Sequence, residues 1–578
     1  ANTTGSNHTA VGKDALLVST AGGYDTAIGD SVLKANTSGN YNTGVGASAL
    51  AANTTASDNT AVGYASLAAN TTGTKNTVVG KDAGLAITTG DQNTALGARS
   101  LQAATTADHN TAIGEAALYA NTSGHSGVAV GSQALAANTT GVENVAVGFT
   151  SLDANTTGSY NTAVGTDSMS ANTTGQENVS VGWNSLDANT TGSYNVAIGA
   201  SALGVNTTGE SNVCIGYNAG DTITTGNANT GLGAGALGAT TTAGNNVAIG
   251  FEALGANTTG ASNTAVGRYA LDAVTTVSSL VGIGSNALGA NTTGVHNVAV
   301  GTDAGLSVST GSYNTAIGNF ALDANSSSSF NTAIGYGALT TNGGADNTAV
   351  GYLAMEDCSA GHSNVAIGVS ALGNLTTGNT NIVIGEDAGD AMTTASGNVI
   401  IGHSAAVHDV NFATGSDCII IGAYSDTSST DASQQVVIGQ NLTSKGNTTT
   451  FVTGVPYNGN NQAAWETTSD ERIKKNISDN STGLSEINQI RVRNFEYRTP
   501  EEVTELPSHA AVDSQGIQVG VIAQEIETIL PDMVNVESTG VKAVSTNNLT
   551  WYLVNAIQEL SAKVEELESQ PKCKCQGD

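Results

Sequence analysis

A mostly β chain, with a long parallel β-roll of 17-residue coils, then a small α/β module and a C-terminal heptad helix, is the fold this sequence predicts. Two observations carry that expectation. A phrase of the type "NTAVGYASLAANTTGTK" (Asn59 to Lys75) recurs for more than four hundred residues. The heptad helix follows from Leu553, Ile557, Leu560, Val564 and Leu567, spaced 4, 3, 4 and 3.

The repeat is strict. Aligned on the Gly that closes "NTAVG", it runs from Gly12 to Gly335 in nineteen steps of 17, then through Gly351, Gly368, Gly385, Gly402, Gly422 and Gly439. Only the steps of 16 into Gly351 and 20 into Gly422 depart from that length. A unit of 17 is too short for two helices and lacks helix-period apolar spacing, so it reads as one solenoid coil of strand, turn, strand, turn.

Within a coil, the residue before the marker Gly is aliphatic (Val11, Ile28, Val62, Leu96) and the one before it is small (Ala10, Ala27, Gly44, Ser180, Cys214). Adjacent strand residues face opposite ways. The expectation is that Val or Ile fills the coil interior while the small residue marks where another chain approaches. Leu50, Leu67 and Leu101, four residues after the Gly, predict a second strand. "ANTTG" predicts the turn back, with Gly73 free for positive φ. Asn59-type and Asn70-type positions predict amide ladders. Each Asn-Thr-Thr also fits a glycosylation acceptor, and the turn reading accounts for it without glycans.

Composition narrows the function. The net charge is −31, which disfavours nucleic acid and anionic membrane surfaces, both of which need Lys and Arg. No transmembrane stretch or signal peptide is visible. Cys214 reads as a small buried filler, and Cys573-Lys-Cys575 as a solvated tail. The His residues are dispersed, and His403 and His408, the nearest pair, do not make a metal site; no cofactor is expected. Aromatics after the marker Gly (Tyr64, Phe149, Trp183, Tyr217) read as turn packing rather than sugar platforms.

Of 17 Lys and Arg, ten lie after Thr468. That charge switch sets the expected divisions: repeats over 1–439, cap and neck over 440–468, a compact module over 469–548, the helix over 549–569 and a tail over 570–578. Residue 1 opens in mid-repeat, so further chain upstream is expected. "QGIQVGVIAQEIETILPDMVNV" reads as a strand, a short helix ended by Pro531 and an extended stretch.

Two resemblances follow from these motifs. "NTAVG" and "NVAIG" units over about residues 7 to 439 resemble the head repeats of trimeric autotransporter adhesins, a left-handed parallel β-roll packed three around an axis. "SDERIKKNI" (Ser469–Ile477), "GVIAQEIETILPDMV" (Gly520–Val534) and the heptad helix together resemble the endosialidase-type intramolecular chaperone of bacteriophage tail spikes and fibres. The resemblance implies a homotrimer, a C-terminal trimeric coiled coil, and a module that aligns three chains and then cuts itself off. Carried over by motif, Ser469 is the nucleophile, Lys474 the base with Lys475 competing, and Asp470 and Arg472 shape the site, with cleavage between Thr468 and Ser469. A Ser hydroxyl needs such a base, and a desolvated Lys is neutral enough to serve.

The leading expectation is therefore a homotrimeric phage tail fibre, made in the host cytoplasm and carried on the virion tail. Its partners would be copies of itself, upstream tail proteins and a host-surface glycan or protein, with no nucleic acid and no membrane insertion. Tyr457 and Trp465 are receptor-contact candidates on position alone. A bacterial surface adhesin is the alternative, weakened because the C-terminal residues lack barrel-like alternation. A polysaccharide-degrading tailspike enzyme is the other, weakened by acids scattered over turns rather than paired in a cleft.

Overall fold

The computed structural model describes residues 4–444, 446–447, 450–452, 476–499, 501–506, 515–536, 540–546 and 548–570. They fall into two units, residues 1–346 and 347–578. The first holds twenty three-residue strands among the described residues, from Thr9–Val11 to Thr332–Ile334. Within the unit, consecutive strands pair in parallel one coil apart, as in Thr60↔Thr77, Ala61↔Val78 and Val62↔Val79. The second unit holds seven more, from Thr348–Val350 to Thr450–Val452. Its last pairing, Ile438↔Val452, sets one rung where the sequence places the neck.

The strand faces are the reverse of the sequence expectation. Ala27, Ala61, Ala95, Ala112 and Cys214 are buried inside the coil, whereas Ile28 is 40% exposed and Leu96 47% exposed. The reason is volume. Leu50, Leu67, Leu101 and their equivalents already fill the interior from the opposite wall. A Cβ built on Gly44 would lie 2.5 Å from Val32 Cγ1. Only a small side chain fits there.

The exchange of volume is visible in three coils. Where the opposite wall carries Gly84 instead of Leu, the strand carries Val78 and the next inward position Ile87; a Cβ on Gly84 would sit 3.1 Å from Ile87 and 3.4 Å from Val78. Gly220 lies against Cys214 and Ile223, and Gly389 against Val383 and Met392, in the same way. Dense packing demands such compensation.

Among the described residues no second strand forms in these coils. The Leu-bearing segment instead alternates hands, with Ser48 at φ 61° and Leu50 at φ 51°. Left-handed geometry costs a non-Gly residue roughly 1–2 kcal/mol, and here it aims successive amides at different coils. Ser48 N–H donates back to Asp30 O (2.9 Å) and Leu50 N–H forward to Ser66 O (3.1 Å).

Both Asn ladders are present. Asn70 Nδ2 donates to Asn53 Oδ1 at 3.0 Å, and Asn93 Nδ2 to Asn76 Oδ1 at 3.0 Å. Gly73 does not take positive φ. It is small because a Cβ would meet Gly90 O at 2.3 Å and Asn70 Oδ1 at 2.5 Å.

The 20-residue coil into Gly422 closes on a buried carboxylate. Asp426 Oδ2 accepts the N–H groups of Asp409 (2.7 Å) and Val410 (3.0 Å). Burial, with the charge of Asp409 adding to it, pushes the Asp426 carboxyl up to about 6. A raised carboxylate pKa means the folded state holds the proton longer than the unfolded one. The contribution of this carboxyl to stability is therefore fullest below pH 4 and is lost as pH rises through about 6, by roughly 3 kcal/mol in all. Asp426→Asn should remove that fall, measured as the wild-type-minus-mutant stability difference at pH 4.5 and pH 7.5. A difference independent of pH would refute the assignment.

Candidate functional site

The C-terminal module packs helix α2 (Ala523–Ile529) and helix α3 (Leu549–Ser569) around a small core, with α1 (Leu484–Ile487) beside α3. Ile526, Leu530, Met533 and Tyr552 are buried in it. The predicted strand, helix and extended stretch appear as Gln518–Gly520, α2 and Val534–Val536, with Pro531 opening a 3-10 turn after α2. Gln518–Gly520 pairs antiparallel with Arg493–Phe495.

Polar groups hold this arrangement. Tyr552 Oη donates to Asp532, which holds the Asp532 carboxyl below its ordinary range, with help from Asn548. Arg493 forks onto Glu525 at 2.5 Å and lowers that carboxyl in the same way. Lys542 pairs with Glu527.

The predicted site residues Thr468, Ser469, Asp470, Arg472, Lys474 and Lys475 lie outside the described residues, as do Tyr457, Trp465, Cys573 and Cys575. The described chain resumes at Asn476, and the segment just after it is fastened to α3. Asn555 Nδ2 donates to Asn480 O (3.0 Å) and Thr482 O (3.1 Å), and Glu559 accepts Leu484 N–H at 3.2 Å. Asn555 and Glu559 escaped sequence reasoning. They are polar residues one turn apart on a helix read only for its apolar heptads.

Helix α3 uses Tyr552 and Ala556 to meet the module. Leu553, Ile557, Leu560, Val564 and Leu567, the heptad residues, are exposed, and Ile557 and Leu567 are more than 60% exposed. Beside them opens an apolar cavity of 300 Å³ lined by Ile487, Ile490, Val521, Met533, Leu549 and Leu553, among others. Among the described residues no helix is long and apolar enough to cross a membrane.

Elsewhere, Tyr64, Phe149, Trp183 and Tyr217 stand more than 50% exposed rather than packed into the turns. Cys214 is buried, with its thiol pushed up to about 12 by desolvation. The structure gathers Glu386, Asp387 and His403, whose ligand atoms all lie within 4.8 Å of one another. They come from successive coils, so sequence spacing gave no signal of the group. Glu386 is exposed, and His403 packs edge-on against Tyr424.

With that geometry in place, the comparisons define the module first. Residues 469–535 match the family model described as the chaperone of endosialidase, so the C-terminal segment carries a domain of that kind. Over 108 residues the chain is 33% identical to the "Probable tail fiber protein" of Escherichia phage Phieco32. That stretch is 18% of this chain and 13% of the phage protein.

Proposed function

We propose that this chain is a subunit of a homotrimeric bacteriophage tail fibre or related appendage that attaches the virion to its host. In this reading the C-terminal module aligns three chains and then severs itself between Thr468 and Ser469. The observation that carries the reading is the chaperone-of-endosialidase match directly after a repetitive β-solenoid. Coils of near-identical length have no intrinsic register, because each one-coil slip presents the same faces again. A non-repetitive module at one end supplies that register, and the exposed heptad face of α3 suits a three-helix bundle with its own copies.

Ser469 is the proposed nucleophile and Lys474 its base, with Asp470 and Arg472 shaping the site. Attack of the Ser469 hydroxyl on the Thr468 carbonyl transfers the acyl group from nitrogen to oxygen. Lys474 takes the hydroxyl proton and hands it to the departing amine, and water then hydrolyses the ester. The shaft remains on the virion tail, where Tyr457 and Trp465 are the proposed receptor contacts.

The test is the intact mass of the wild-type chain beside Ser469→Ala. A released piece of 110 residues (578 − 468) in the wild type, absent in the variant, is the expected result. An uncut wild-type chain would remove the protease assignment.

A further inference from the structure

In both units the strands turn two residues outward, of which the second is Val, Ile or Leu in every strand and the first is Thr, Val or Ile. Ile198, Leu232 and Ile317 in the first unit are 37–44% exposed, and Ile382, Ile419 and Ile438 in the second 37–43%. In the first unit, nineteen steps between strands at about 4.8 Å give a stripe roughly 90 Å long and about 10 Å wide. Its area, on the order of 900 Å² with the Thr positions included, is what one partner contributes to a stable interface.

Charge decides what covers it. The chain carries a net charge of −31, so copies repel one another across most of their surface. None of the 27 strands from Thr9–Val11 to Thr450–Val452 contains a charged residue. The stripe is therefore where like-charged copies meet without desolvating a carboxylate. Its features also recur once per coil, and a second copy of this chain recurs at that same spacing.

The stripe is not uniform. In the first seven strands, through Thr111–Ile113, the first outward residue is always Thr. In the five from Val365–Ile367 to Val436–Ile438 both outward residues are Val or Ile. We propose that copies of this chain dock through this outward strand face, and that Val365 to Ile438 form its tightest stretch. This rests on the self-assembling reading above and assigns its surface.

The test uses the full chain with Cys573→Ser and Cys575→Ser, because the other three cysteines are buried. Ile198→Cys and Ile401→Cys are each oxidised mildly beside Thr174→Cys, an exposed residue on the "ANTTG" turn. Chain-to-chain disulfides at 198 and 401, without one at 174, are expected. Crosslinking at 174 alone, in protein that still assembles, would overturn the surface and leave the oligomer intact. A monomer under native conditions would overturn both.

A second arm grades the stripe. Ile401→Asp with Ile421→Asp should lower the assembled fraction more than tenfold, and Val45→Asp with Val62→Asp less than threefold. Equal losses, in variants that keep wild-type circular dichroism, would refute the tighter stretch.

Discussion

Gly148→Ala is expected to break the solenoid locally. Gly148 sits at φ +141°, where a side chain is strained, and a Cβ there would lie 2.2 Å from Gly165 O and 2.5 Å from Gly165 C. Neither atom can yield, since both belong to the next coil's backbone. Strain alone costs about 1–3 kcal/mol, and relieving the clash brings the total to roughly 3–5 kcal/mol. Solenoids unfold by neighbouring units, so the loss should appear as faster hydrogen exchange confined to the coils flanking residue 148. Gly204→Ala is the control. Its φ is not left-handed, its nearest neighbour would be Ser201 O at 3.2 Å, and the same register position holds Ala136 and Asp153 elsewhere. That variant should stay within about 1 kcal/mol of wild type. Equal effects at the two sites would refute the packing account.

Asn178→Ala is expected to cost nearly as much by a different route. Asn178 Nδ2 donates to Asn161 Oδ1 (3.1 Å) and Gly192 O (3.0 Å). Its Oδ1 accepts Asn195 N–H (2.9 Å) and Asn195 Nδ2 (3.2 Å). Truncation leaves Asn195 N–H without its acceptor and takes one of two partners from Asn161 Oδ1, Gly192 O and Asn195 Nδ2, which keep Asn178 N–H, Asn189 Nδ2 and Gly209 O. At about 1–3 kcal/mol for the one amide left unsatisfied and about 0.5–1.5 kcal/mol for each of the three other bonds lost, a loss of roughly 3 kcal/mol or more follows. Asn178→Asp separates the two halves of the role. The carboxylate still accepts from Asn195 but faces Asn161 Oδ1 and Gly192 O with no proton to give. Its stability should therefore recover toward wild type as pH falls and the new acid becomes a donor. An Asp variant as stable as wild type at pH 8 would show that the ladder does not need donation.

How much of this was legible in the sequence depended on the kind of signal. The coil length was plain, because the marker Gly is required twice over, by its φ and by the backbone of the next coil. The ladders were legible because Asn recurs at positions where only a side chain that both donates and accepts can repeat. The direction of the strand was not. Alternation says that Ala61 and Val62 face opposite ways, and both are apolar, so polarity could not choose between them. Volume chose: Leu67 reaches across from the opposite wall and leaves room only for Ala61. That choice was available in the pairing of Val78 with Gly84 and of Val383 with Gly389, where a larger strand residue answers a missing Leu. The absent second strand has a related cause, since Leu at a left-handed position is a poor local choice and only the forward and backward amide bonds of the stack make it stable.

In the C-terminal module the helix and its turn at Pro531 were legible from apolar spacing and a residue that cannot continue a helix. The grip of Asn555 and Glu559 on residues 480–484 was not, because polar helix positions ordinarily face water. The heptad residues form a coiled-coil seam only if other copies cover them.

Native mass spectrometry of the full-length chain at low micromolar concentration tests that dependence most directly. Each chain has a mass of 57.4 kDa. An assembly of three chains, or of three shafts after release of the C-terminal piece, is the predicted result. A single chain that keeps its β signature by circular dichroism would contradict the account.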